Sequence, residues 1–115
     1  MSSIIKIAEG SNGVNHTITI YQDGSNTPED LTGYTGATLT VTELDLETVL
    51  ATITLAITTA ESGLLTYTTS TSHGLPAVAT GKRNKELKAQ IKITGSGLKD
   101  ITEIGDFIIV KDISV

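Results

Sequence analysis

Threonine alternating with aliphatic residues is the pattern that most constrains this chain. In Ala37-Thr38-Leu39-Thr40-Val41 the apolar side chains recur at every second residue, and Val49, Ala51, Ile53, Leu55 and Ile57 repeat the arrangement. A period of two sends alternate side chains to opposite faces of an extended strand, so one face is buried and the other meets water. β-Branched residues suit that pleated backbone because their restricted side-chain rotamers pack well on it. Helical stripes are hard to find, and the chain is read as all-β.

The same reading predicts further strands. Ile4 to Ala8 forms one, and Ile18 and Ile20 share one face of another, with Thr17 and Thr19 on the opposite face. Asp23-Gly24 stops that run with a strong turn signal, in a loop where Asp23, Asn26, Glu29 and Asp30 act as turn formers and Asp30 accepts nearby backbone amides. Glu61-Ser62-Gly63 makes a later turn, after which Leu65 and Tyr67 face inward. Leu87, Ala89, Ile91 and Ile93 alternate in the next strand, which Gly95-Ser96-Gly97 ends. Phe107-Ile108-Ile109-Val110 is apolar at every position, as expected of a central strand covered from both sides. Roughly seven strands at this spacing predict an antiparallel β-sandwich of immunoglobulin-like size, with a small β-barrel as the alternative. Residues 1–115 fit one domain, with both termini in strands. Ser70 to Lys85 is the one long irregular connection, a kind of segment in which function often resides.

Composition excludes several classes. With no cysteine, the chain has neither a disulfide framework nor a thiolate metal site. Its net charge of −5 opposes phosphate backbones, so no nucleic-acid partner is expected. The N-terminus lacks a signal-peptide pattern and no apolar run approaches spanning length, so the expectation is a protein made in the cytoplasm and without a membrane partner.

No constellation of catalytic residues stands out, and the chain is expected to be no enzyme, without cofactor, metal site or small-molecule substrate. Gly74 and Gly81-Lys82 only superficially resemble a phosphate loop: six residues separate the glycines, and Arg83 replaces the magnesium-holding hydroxyl. Lys82, Arg83, Lys85 and Lys88 form the one basic cluster and are the candidate protein contact, able to dock a negatively charged surface. Glu43, Asp45 and Glu47 would project from one face of an extended segment and offer hard oxygen ligands to calcium, though such sites usually draw on a curved loop. His16 and His73 are the only histidines and are expected to be exposed. Asn15-His16-Thr17 matches the glycosylation sequon. Aromatic residues make up 3% of the chain, and Tyr67 and Phe107 are needed in the core, which removes a sugar-stacking platform.

Several segments together resemble a known family. Ile18-Thr19-Ile20-Tyr21-Gln22-Asp23-Gly24, Asp30-Leu31-Thr32-Gly33, Ala37-Thr38-Leu39, Gly63-Leu64-Leu65-Thr66-Tyr67, Ala89-Gln90-Ile91 and Phe107-Ile108-Ile109-Val110 are similar to the immunoglobulin-like N-terminal domain of phage baseplate upper proteins and related small virion modules. Gly33-Tyr34-Thr35-Gly36 and the basic insert after Gly81 depart from the family pattern. The resemblance implies a bacteriophage structural protein, made in the host cytoplasm and carried in the virion. It would act as a tail or baseplate adaptor, or alternatively as a capsid decoration or head-fibre anchor. Its partners would be other phage structural proteins and symmetric copies of itself, met through strand edges and threonine-rich faces. Because the chain ends at Val115, directly after its last strand, it would lack a receptor-binding extension. The competing expectation is a cellular binding module of extracellular type.

Overall fold

The computed structural model describes residues 4–22 and 24–111, in which seven strands follow one another. These are β1 (Ile4–Ala8), β2 (Asn15–Thr19), β3 (Gly36–Thr42), β4 (Val49–Thr59), β5 (Leu64–Thr68), β6 (Asn84–Thr94) and β7 (Ile101–Val110). Their order across the fold is β1-β7-β6-β3-β4-β5-β2. The long strand β4 makes the corner: up to Leu55 it pairs with β3, and from Ala56 it pairs with β5. Strands that switch layers in this way let one hydrogen-bonded ladder fold over on itself. The result is a β-sandwich that comes near to closing as a barrel, in agreement with the fold class read from periodicity.

The buried side chains are those that the alternation selects. Leu39, Val41, Ile53, Leu65, Tyr67, Leu87, Ile91, Ile93, Phe107 and Ile109 belong to one apolar core, with Leu31 and Ile20 closing it from the loops. Cross-strand register keeps them on one face, since Leu39 lies between Ile53 and Ile91. Slipping one residue would turn each strand's apolar set to water.

Two expectations need correction. The sandwich is not wholly antiparallel: β1 runs parallel to β7, with Ile5 beside Phe107 and Ile7 beside Ile109. No hairpin links the first strand to the last, so no turn imposes the opposite direction. Nor is the end of β7 covered from both sides. Phe107 and Ile109 are buried, whereas Ile108 is half-buried and Val110 is 40% exposed. A strand with hydrogen-bonded neighbours on both edges still has two faces, and only the inner one meets the opposing layer.

The turns follow the local chemistry of their residues. Asp30 Oδ1 accepts from the Thr32 amide at 2.9 Å and from its hydroxyl at 2.6 Å, and these bonds hold its carboxyl below the usual range. Gly24 has φ +69°, as the Asp23-Gly24 signal requires, though Asp23 itself lies outside the described residues. Expectations for the extreme termini, 1–3 and 112–115, also lie outside them.

Candidate functional site

Charge divides this fold in a way that only the strand order reveals. The strands β3, β4, β5 and β2 contain no Asp, Glu, Lys or Arg, and they are consecutive across the fold. Lys6, Lys85, Glu86, Lys88, Lys92, Glu103 and Asp106, the charges carried by strands, all fall on β1, β6 and β7. The outward positions of the uncharged half are mostly threonines. Thr38 lies opposite Thr54 and Thr40 opposite Thr52, while Thr17 lies opposite Thr66, which is next to Ala56. Hydroxyl bonds tie part of this surface together: Thr68 donates to Asn15 Oδ1 at 2.7 Å, and Thr66 donates to Thr58 Oγ1 at 3.3 Å. The Asn15 amide of the sequon is thus used within the sheet face.

At the border of this surface, β2 is an edge strand, Asn15-His16-Thr17-Ile18-Thr19. Exposed edges normally carry lysine, proline or a bulge that discourages pairing with another chain. The β2 edge carries none of the three. The opposite edge, β1, has Lys6 at its centre.

The basic cluster is only partly brought together: Lys82 and Lys85 line one open groove with Leu44 and Glu86. Lys82 and Arg83 lie in the loop, whereas Lys85 and Lys88 belong to β6, where their separation of three residues sends them to opposite faces. Lys88 Nζ is 2.7 Å from Asp106 Oδ1, and Lys85 Nζ is 3.6 Å from Glu43 Oε1. Both pairs are about one-third or more exposed, so each adds little stability, but each offsets a cation that a docking surface would need. The separation could not be read from the sequence because β6 begins earlier, at Asn84, than the apolar alternation implies.

The acidic segment is likewise a turn and not a straight row. Leu46 adopts φ +63°, and the Asp45 carboxylate accepts from the amides of Glu47 and Thr48 and from the Thr48 hydroxyl. These bonds lower the Asp45 pKa and use the oxygens that a cation would need. Among the described residues, no group of three or more His, Cys, Asp or Glu side chains is placed to hold a metal.

The histidines correct another expectation, for both are half-buried. His16 on β2 and His73 in the 3-10 turn Thr71–His73 each stack on Tyr67, with ring centroids 5.9 and 6.0 Å away. Tyr67 is fully buried and also meets Phe107 at 6.1 Å. Among the described residues, the buried His16 Nε2, His73 Nδ1 and Tyr67 hydroxyl have no hydrogen-bond partner. Burial pushes the phenol pKa up. The sequence signal was the inward parity of His16 with Ile18, since residues two apart share a face; nothing local announced that a loop residue, His73, would fold onto the same ring.

An unpartnered buried hydroxyl costs its desolvation without a compensating bond. Tyr67→Phe keeps the ring and removes that oxygen, so the substitution is expected to raise unfolding stability by about 1 kcal/mol. Denaturant titration should show a higher midpoint with an unchanged slope; a lower midpoint would mean that the hydroxyl has a partner in solution.

No family model matches the sequence, and no curated protein matches it. Among solved structures, the chain is similar to CopC from Methylosinus trichosporium OB3b, with a TM-score of 0.49 and 9% identity, over 99% of this chain and 90% of that one. That neighbour is not a phage protein, and with no family or curated match to support it the expectation of a virion tail, baseplate or capsid component is corrected and not carried forward. The segments behind that expectation are short strand and turn signatures. They specify a sandwich scaffold, which many unrelated functions share. At 9% identity the likeness transfers no ligand and no residue role to this chain.

Proposed function

We propose that this chain is a non-enzymatic association module that pairs with a second copy of itself along β2 and thereby extends its uncharged threonine surface. The observation that carries the reading is the division of charge, which leaves four consecutive strands and one open edge free of repulsion. An antiparallel pair centred on Thr17 is self-complementary. Thr17 meets its own symmetry mate, Asn15 faces Thr19 of the second copy, and His16 faces Ile18 of the second copy on the inner side. Edge backbone groups supply the hydrogen bonds, and cross-strand threonine pairs add roughly 0.2–1 kcal/mol each. A twofold contact of this kind closes and does not propagate. The absence of acid-base chemistry is supported by the geometry: the histidine rings stack on Tyr67, and the Ser72 hydroxyl bonds to Ser70 Oγ at 2.7 Å.

Thr17→Lys tests the reading, because Thr17 is an exposed position at the centre of the edge. The substitution places two ammonium groups opposite each other at the twofold axis, and like charges directly opposed are destabilising. Light scattering coupled to size exclusion is expected to give a dimer for the unmodified chain and a monomer for the variant, with unchanged circular dichroism. A monomer for the unmodified chain at its highest soluble concentration, or a dimer for the variant, would reject the pairing.

A further inference from the structure

A cavity of ≈ 250 Å³ opens at the end of the sandwich where the β1–β2 loop meets the segment after Thr71–His73. Its floor is apolar, formed by Ile7, Ile109, Leu75 and Pro76 together with Tyr67. Glu9 stands on its wall, and among the described residues no lysine, arginine or histidine lines it. Two lining hydroxyls are already engaged: Ser11 Oγ is 3.0 Å from Thr69 Oγ1, and Ser70 Oγ accepts from the Ser72 amide. Tyr67 contributes to the lining as a fully buried residue.

From this arrangement we infer that the cavity binds a small organic ammonium ion with an apolar body. The inference is independent of the association through β2, which lies on a different surface element. The chemistry is set by three features. The volume falls below the usual range for drug-sized ligands, about 300–1,000 Å³, and so admits only a fragment-sized molecule. The carboxylate of Glu9 favours a cation, and the chain's net charge of −5 adds to that preference. One Glu9 oxygen accepts from the Val78 amide at 2.6 Å, which fixes the side chain, and a carboxylate has capacity for further donors. An ammonium group supplies three donors and no acceptor, so it can give a bond to Glu9 and keep its other donors toward solvent at the open mouth. The body of the ligand then replaces water against Ile7, Leu75 and Ile109. This departs from the sequence expectation of no small-molecule ligand, which could not foresee that the loop after His73 would wall a cavity.

Methyl-labelled protein titrated with benzylammonium, benzyl alcohol and benzoate provides the test. Benzylammonium is expected to shift the methyl resonances of Ile7, Leu75 and Ile109, and to bind at least about tenfold more tightly than benzyl alcohol, since a charged hydrogen bond contributes more than a neutral one. Benzoate should leave them unmoved. Glu9→Gln keeps an acceptor for the Val78 amide and should weaken benzylammonium about tenfold while leaving benzyl alcohol unchanged. Equal binding of the three probes, shifts confined to other methyl groups, or undiminished affinity in Glu9→Gln would overturn the inference.

Discussion

Gly63→Ala is expected to lower the unfolding free energy by roughly 3–5 kcal/mol, through left-handed backbone strain and overpacking together. Gly63 follows the 3-10 turn Ala60–Ser62 with φ +67°, a conformation that a Cβ disfavours. A Cβ at this position would also lie 2.7 Å from the carbonyl oxygens of both Ile20 and Glu29. Neither oxygen is the end of a flexible side chain. The Ile20 carbonyl accepts from the Glu29 amide at 2.8 Å, and the Ile20 amide donates to Gly63 itself at 2.9 Å. To make room, the chain would have to release the hydrogen bonds that pin the loop after β2 onto the start of β5. Gly74→Ala serves as the matched control, because Gly74 has φ +70° and no atom within 4 Å of the added carbon. Its cost should be the backbone term alone, roughly 1 kcal/mol. Denaturant midpoints for the pair separate close approach from dihedral strain, and equal losses would show that the 2.7 Å contacts relax without consequence.

Phe107→Ala is expected to cost roughly 3–5 kcal/mol, the range found when a large aromatic is truncated in a core. Phe107 is fully buried, and its ring lies tilted against Tyr67. Removing it leaves a void beside a residue already held between two histidines, so relaxation to fill the space is limited. Val110→Ala, three residues along the same apolar run, is expected to change stability by no more than about 0.5 kcal/mol, as surface substitutions do. Val110 faces outward and is 40% exposed. Urea or thermal unfolding of both variants measures the asymmetry. Similar losses at the two positions would mean that β7 is covered on its outer face after all, by a second copy or another partner.

That contrast shows how far the sequence could be read. Phe107-Ile108-Ile109-Val110 is apolar throughout, and a period cannot be extracted from a run without polar residues. Where threonine marks the outer face, as in β3 and β4, the inward set Leu39, Val41, Ile53 and Leu55 was legible from alternation alone. The turn at Asp30 was legible for a similar reason, since an aspartate two residues before an amide can bond to it without tertiary help. The arrangement of the basic cluster was not legible, because adjacency in sequence does not fix adjacency in space. Entry into β6 at Asn84 sends Lys85 and Lys88 to opposite faces, and partners from other strands offset both.

By itself, then, the sequence determined the all-β class, the positions of most strands and the side chains that fill the core, because these follow from a local period and from turn residues acting over a few positions. It also determined that four of those strands carry no charge. Only the tertiary structure decided that these four are neighbours, that β2 stands at the edge, that β1 runs parallel to β7, that His16 and His73 stack on Tyr67, and that Glu9 and Tyr67 line one cavity. Those are long-range pairings. They depend on the global minimum of packing and hydrogen bonding, in which His16 and Tyr67 become cross-strand partners although 50 residues separate them.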